Sequence, residues 1–84
     1  MPKRIDYSRE AKKALRRMDR TSAIRIIEKV ELLATNPGAL QNNVRALKEG
    51  GGRMRLRVGD WRVIYRDEVI LDVIRIAPRG SAYE

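Results

Sequence analysis

Residues 53–66, RMRLRVGDWRVIYR, decide the fold of this chain. In the first six residues, arginines alternate strictly with apolar side chains, which is the period of a half-buried β-strand. Gly59 and Asp60 form a turn pair, and the following residues return as a second strand. The stretch therefore predicts a β-hairpin with one apolar face and one face rich in arginine.

Two helices are predicted on the N-terminal side of this hairpin. Ser8 can cap the first, whose apolar stripe ends at Met18, and residues 19–22 can cap the second. Asn-Pro-Gly at 36–38 ends the second helix, because proline disfavours helix at the residue before it. Two helices joined by so few residues are expected to lie close to antiparallel.

The remaining segments are predicted to add strands to the hairpin. Residues 4–7 alternate like a short strand, residues 44–47 are a short strand or an irregular segment, and residues 69–77 are a strand that is apolar on both faces. We therefore predict one α+β domain over residues 1–84, with two antiparallel N-terminal helices packed on a four-stranded, mostly antiparallel sheet.

The composition excludes several classes of site. The 84 residues include no cysteine and no histidine, so disulfides, cysteine-based zinc sites and a histidine general base are absent. Asp6, Asp72 and Glu49 do not form a close pair by spacing, so we expect no metal site, and we expect no cofactor. With no signal peptide and no long apolar run, a cytoplasmic location without membrane contact is expected.

The net charge of +8 is clustered, and this favours a polyanionic partner. Alternate residues of a strand lie about 6.5 to 7 Å apart, close to the phosphate repeat of a nucleic acid. A solvated strand face that blocks aggregation is the alternative interpretation. Tyr83 can stack on a base or merely pack near the chain end. The arginines concerned lie on the three predicted C-terminal strands and the exit of the last: Arg53, Arg55, Arg57, Arg62, Arg75 and Arg79.

Residues 46–65, ALKEGGGRMRLRVGDWRVIY, together with residues 75–83, RIAPRGSAY, and the opening IDYSREAKKAL at 5–15 resemble the RelE toxins of the RelE/ParE superfamily. The resemblance covers essentially the whole chain. It implies the toxin of a type II toxin–antitoxin pair, an endonuclease that cuts mRNA in the ribosomal A site. In that reaction the ribose 2′-hydroxyl attacks the neighbouring phosphate, and no metal is needed.

The resemblance also implies roles for individual residues. Arg53 and Arg55 match basic positions around the scissile phosphate, and Arg62 matches the arginine that stabilises phosphate charge. Arg79 matches a residue that assists the leaving group, and Tyr83 matches one that orients a base. Further contacts to RNA are expected from Arg57, Arg75 and Lys48. Arginine cannot accept a proton at neutral pH, so the general base stays open between Tyr83, Glu49 and the ribosome.

Two other functions remain open from the sequence, a ParE-like inhibitor of DNA gyrase and a nucleic-acid-binding module without chemistry. The expected partners are the ribosome, mRNA and a small acidic antitoxin, and the toxin–antitoxin complex is expected to bind operator DNA through the antitoxin. Alanine at Arg62 or Arg79 is expected to abolish growth arrest and to leave the fold intact.

Overall fold

The computed structural model describes residues 2–48 and 50–80. These residues form two α-helices and a 3₁₀ helix beside a five-stranded sheet with the strand order β1-β5-β4-β3-β2. Neighbouring strands are antiparallel except β1 and β5, which are parallel. The helices are α1 (Arg9–Arg17), α2 (Arg20–Thr35) and the 3₁₀ helix Pro37–Asn43. The strands are β1 (Ile5–Tyr7), β2 (Val44–Ala46), β3 (Arg53–Val58), β4 (Trp61–Asp67) and β5 (Leu71–Pro78).

The α+β class is confirmed, and two details of the sequence prediction are wrong. The sheet has five strands and not four, because residues 44–46 pair with β3 and β1 joins the far edge. The last strand starts at Leu71 and not at Val69, whose side chain is 91% exposed in the bend after β4. Apolar character alone placed Val69 in the strand, although no hydrogen-bonded partner strand holds it there.

The capping residues predicted from the sequence begin both α-helices. The hydroxyl of Ser8 accepts a hydrogen bond from the amide of Ala11 at 3.0 Å and donates one to the carbonyl of Ile74 at 2.6 Å, which ties the start of α1 to β5. Asp19 accepts the amide of Ser22 at 2.9 Å and so caps α2. Within residues 2–48 and 50–80, neither helix combines the length and the apolarity that crossing a membrane requires.

The core lies between the helices and one face of the sheet. Side chains from α1 and α2 join alternate residues of β3, β4 and β5 in a single buried cluster, and the largest fully buried members are Ile26, Val30, Leu56, Val63, Leu71 and Val73. Because successive side chains of a strand point to opposite faces, the residues between these core residues lie on the other face of the sheet. Of the described elements, no helix packs on that second face.

Candidate nucleic-acid interface

The face of the sheet away from the helices is lined with arginine, and we call it the arginine face. Residues opposite one another in a sheet share a face. The register pairs Arg53 with Arg66 and Arg57 with Arg62, and it pairs Arg55 with Arg45 on one side and Ile64 on the other. Ile64 in turn pairs with Arg75. Four strands thus place seven arginines on this face: Arg45, Arg53, Arg55, Arg57, Arg62, Arg66 and Arg75.

Five of these seven positions follow from the sequence prediction, and two were missed. Arg66 follows Arg62 and Ile64 at the same period of two, so the alternation within β4 could have identified it. Arg45 lies in a strand of three residues that is too short for the sequence to distinguish from irregular structure.

Ile64 forms an apolar centre in this charged surface. Its side chain is only 1% exposed, yet it does not belong to the cluster under the helices. Arg55 and Arg75 lie opposite it on the adjacent strands, and Arg62 and Arg66 lie two residues away on its own strand. The aliphatic stems of arginine can cover apolar surface while the charged heads stay in contact with water. We infer that these stems bury Ile64 and fix where the guanidinium groups emerge.

Arg62 is the most buried of the seven arginines. Only 6% of it is exposed, and its Nη1 atom donates hydrogen bonds of 3.0 Å to the carbonyls of Gly59 and Trp61. Gly59 has φ +58° at the first position of the β3–β4 turn, a conformation that suits glycine. Arg62 therefore stabilises the hairpin turn in addition to carrying charge, and we expect its replacement to lower stability, in contrast to the expectation from the sequence.

Arg79 and Lys48 lie near opposite ends of the arginine face. The backbone amide of Arg79 donates to the carbonyl of Asp60 at 2.7 Å, which places this exposed residue beside the turn at the Arg62 end. Lys48 is exposed in the β2–β3 loop, where Leu47 donates to the carbonyl of Arg53 at 3.0 Å. Tyr83 and Glu49 lie outside the described residues.

Carboxylates occupy the edge of the arginine face that β1 forms. The parallel register places Asp6 beside Asp72, and Asp72 lies opposite Arg66. These side chains and Ser8 line a cavity of about 260 Å³. The prediction that Asp6 and Asp72 stay apart is wrong, because the pairing of β1 with β5 joins segments distant in sequence. Within residues 2–48 and 50–80, no three Asp, Glu, His or Cys residues form a group that could hold a metal ion.

Arg75 marks the border between the arginine face and α1. Its Nε atom lies 3.7 Å from the Oε1 atom of Glu10 in the first turn of that helix. Arg75 is thus within ion-pair distance of a carboxylate and is shared between the face and the helix.

The two described tyrosines lie on the core side of the sheet. Tyr65 is 3% exposed, and burial followed by the nearby charge of Asp67 raises its pKa to about 12. Burial, with a contribution from Glu31, raises the pKa of Tyr7 to about 12 as well. The alternation of β1 and β4 directs both phenols away from the arginine face, so neither can act on a ligand bound there.

Comparison with known proteins gives one family and several solved structures. The profile of the family described as "ParE toxin of type II toxin-antitoxin system, parDE" matches residues 5–83. No curated protein matches the sequence.

The structural matches all cover most of the chain. A chain of the archaeal RelE–RelB complex from Pyrococcus horikoshii is 27% identical, with a TM-score of 0.80 over 98% of this chain and 100% of that one. The isolated RelE toxin of E. coli is 16% identical, with a TM-score of 0.75 over 95% of this chain and 87% of that one. A chain of the DinJ–YafQ toxin–antitoxin complex of E. coli is 20% identical, with a TM-score of 0.70 over the full length of both. The last two likenesses concern the fold alone.

Proposed function

The chain belongs to the ParE toxin family of type II toxin–antitoxin systems, within the RelE/ParE superfamily, and from this premise we propose that it is a ribosome-dependent endoribonuclease that cleaves mRNA in the A site. One observation carries the proposal. Arg53, Arg55 and Arg62 share one face of the sheet, and Arg79 is held beside the turn at the Arg62 end. A gyrase inhibitor has no need of such a cluster around one phosphate.

The proposed chemistry is electrostatic stabilisation of the phosphate in the transition state. The ribose 2′-oxygen attacks the adjacent phosphorus and the bond to the 5′-oxygen breaks, which leaves a 2′,3′-cyclic phosphate and a 5′-hydroxyl. Arg53, Arg55 and Arg62 would donate hydrogen bonds to the phosphate as its charge rises. Arg79 would stabilise the departing 5′-oxygen until that oxygen takes up a proton.

The group that accepts the proton of the 2′-hydroxyl is not one of these arginines, because a guanidinium stays protonated at neutral pH. The candidates for this proton acceptor are Tyr83, Glu49 and a ribosomal group. Tyr83 would also orient a nucleobase of the RNA. Arg57, Arg75 and Lys48 would contact the RNA around the reacting phosphate.

The test is primer extension on mRNA translated in a reconstituted system. The wild-type chain should produce discrete cuts within codons, and none on the same mRNA without ribosomes. Arg55→Ala should slow cleavage about 100- to 1,000-fold, the usual effect of losing one preorganised donor. Lys12→Ala removes an exposed cation of α1 that lies off the arginine face, and it should cleave at the wild-type rate. Equal activity of the two variants would refute the assignment of the site.

We further propose that a small acidic antitoxin neutralises this toxin in the cytoplasm, where its ribosomal target lies. Two matched structures are complexes, namely the archaeal RelE–RelB complex from P. horikoshii and the toxin–antitoxin complex RelBE2 from Mycobacterium tuberculosis. The positive charge of the chain favours an acidic partner. The complex would bind operator DNA through the antitoxin. Co-expression with the adjacent reading frame should restore growth and yield a co-purifying complex.

Inhibition of DNA gyrase is the second candidate, and the match to the ParE profile favours it. A supercoiling assay with purified gyrase separates the two functions. Inhibition of supercoiling together with intact mRNA in the primer-extension assay would replace the nuclease proposal by this one.

A further inference from the structure

A cleft lined by three cationic side chains lies between α2 and the end of β3, and we call it the α2–β3 cleft. It has a volume of about 280 Å³. Its cationic lining is Arg25 and Lys29 of α2 and Arg57 of β3, and its other lining residues are Leu40, Asn43, Val58 and Gly59. No acidic residue among residues 2–48 and 50–80 lines it. The sequence shows no sign of this cleft, because its cations come from segments about 30 residues apart.

The three cations line one cleft and form no ion pair with a described carboxylate. Arg25 and Lys29 are four residues apart on one helix, a spacing at which like charges repel. None of the ion pairs among residues 2–48 and 50–80 involves Arg25, Lys29 or Arg57. No carboxylate of the described residues thus lies within ion-pair distance of these three cations.

Arg25 is held against the hairpin turn. A β-carbon placed on Gly59 would lie 3.5 Å from the Nη1 atom of Arg25. Asp19 is attracted electrostatically by Arg25, but its two carboxylate oxygens accept hydrogen bonds from the backbone amide and the hydroxyl of Ser22, at 2.9 and 2.8 Å. The carboxylate of Asp19 is thus used to cap α2. The guanidinium of Arg25 lies beside the β3–β4 turn, close to Arg57 in the sequence of β3.

The cleft is continuous with the arginine face. Arg57 lies opposite Arg62 in the sheet, and it also lines the cleft. The pairing of β2 ends at Leu56, so β3 has a free edge at Arg57. A polyanion that crosses the face along β3 can therefore pass over this edge and reach Arg25 and Lys29, since none of the five described strands pairs with β3 there.

We propose that the α2–β3 cleft binds a phosphodiester group of RNA beyond the one at the arginine face. This inference rests on the proposed function in that it takes RNA as the ligand. Guanidinium and ammonium groups with an amide side chain are donors that suit phosphate oxygens, and mutual repulsion among the three cations is relieved when an anion lies between them. The phosphate belongs either to the substrate strand or to ribosomal RNA.

The test compares two double variants with the same change in composition and charge. Arg25→Ala with Lys29→Ala removes two cations of the cleft, and Lys12→Ala with Arg16→Ala removes one lysine and one arginine, also four residues apart, from the exposed side of α1. Affinity for a labelled single-stranded RNA and for vacant ribosomes is measured over a range of salt concentrations. Because the cleft is proposed to neutralise one phosphate, its loss should reduce the slope of log K against log salt by about 0.7 for a single strand.

Titration with inorganic phosphate provides a readout that is independent of cleavage. In ¹H–¹⁵N spectra of the wild-type chain, phosphate should shift the amides of Asn43 and Gly59, and these shifts should vanish in the α2 double variant only. A reduced slope with the RNA oligonucleotide assigns the site to the substrate strand, and a reduction with vacant ribosomes alone assigns it to ribosomal RNA. Absence of the phosphate shifts, or equal slopes in the two double variants, would overturn the proposal. Loss of antitoxin binding with RNA and phosphate binding intact would overturn it too. If the wild-type chain does not cleave mRNA, the proposal of nuclease activity is refuted. The salt dependence of RNA binding and the phosphate titration then still test whether the cleft binds phosphate.

Discussion

Replacement of Arg62 by alanine separates the structural role of this arginine from the catalytic role proposed for it. Arg62 is 6% exposed, and one of its nitrogens bonds the carbonyls of Gly59 and Trp61 at 3.0 Å each. A hydrogen bond that involves a charged donor contributes about 1.5 to 3 kcal/mol. Because one nitrogen donates both hydrogen bonds, we take their combined contribution as little more than that of one. Packing of the buried aliphatic stem adds a further contribution. We expect the free energy of unfolding to fall by about 2 to 3 kcal/mol.

For a chain of this length, such a loss lowers the midpoint of thermal unfolding by roughly 10 to 20 °C. Circular dichroism during heating and during urea titration measures the effect. Arg79→Ala is the matched control, because this side chain is exposed and only its backbone amide, which alanine retains, bonds to Asp60. The control should stay within about 0.5 kcal/mol of the wild type.

Activity is then compared at a temperature where both variants are folded. At that temperature both should lose mRNA cleavage, since both arginines are assigned to the reacting phosphate. An Arg62→Ala protein that unfolds at the wild-type midpoint would refute the structural reasoning. One that is destabilised yet cleaves normally would show that Arg62 serves the turn alone.

Three further predictions concern the centre, the acidic edge and the core side of the sheet. Ile64→Ala should cost about 2 to 3 kcal/mol by urea unfolding, at the low end for isoleucine because flexible arginine stems can fill the space; no loss would mean that the stems do not pack on Ile64. Asp72→Asn removes a negative charge opposite Arg66 and should tighten RNA binding about two- to fivefold at low salt in an anisotropy assay, whereas unchanged affinity would place the RNA away from this edge. The unfolded state ionises Tyr65 near pH 10 and the folded state near pH 12, so stability should fall between these values at up to about 1.4 kcal/mol per pH unit. Urea titrations at several pH values should show a shallower decline for Tyr65→Phe, and identical slopes would contradict the raised pKa.

The hairpin could be predicted from the sequence because its information is local. Strict alternation in residues 53–58 assigns each side chain to a face, and the two-residue turn at Gly59 and Asp60 fixes which residues of β3 and β4 lie opposite one another. The pairing of Arg57 with Arg62 follows from these two facts alone. Capping by Ser8 and Asp19 is equally local, and both helices begin where these residues predict.

Apart from Arg66, which local alternation could have identified, the main features that sequence reasoning missed depend on contacts between distant segments. The parallel pairing of β1 with β5 places Asp6 beside Asp72, and no local pattern in either segment indicates it. Within β5, the register shifts between Ile64 and Tyr65 of the partner strand, which hides the alternation behind a run that is apolar on both faces. Because of this shift Arg75, and not Ile74, lies opposite Ile64 on the arginine face.

The cost of concentrating seven arginines on one sheet face is offset in three different ways, and the difference bears on function. We infer that the arginine stems pack on the buried side chain of Ile64. The carbonyls of Gly59 and Trp61 accept hydrogen bonds from Arg62. On the β1 side of the face, Glu10 lies near Arg75 and Asp72 lies opposite Arg66. Arg57, at the opposite edge, is exposed and borders a cleft that no carboxylate of residues 2–48 and 50–80 lines. The electrostatic field of these residues is therefore asymmetric, and an RNA strand bound across the face as proposed would be drawn toward the Arg57 edge and away from β1.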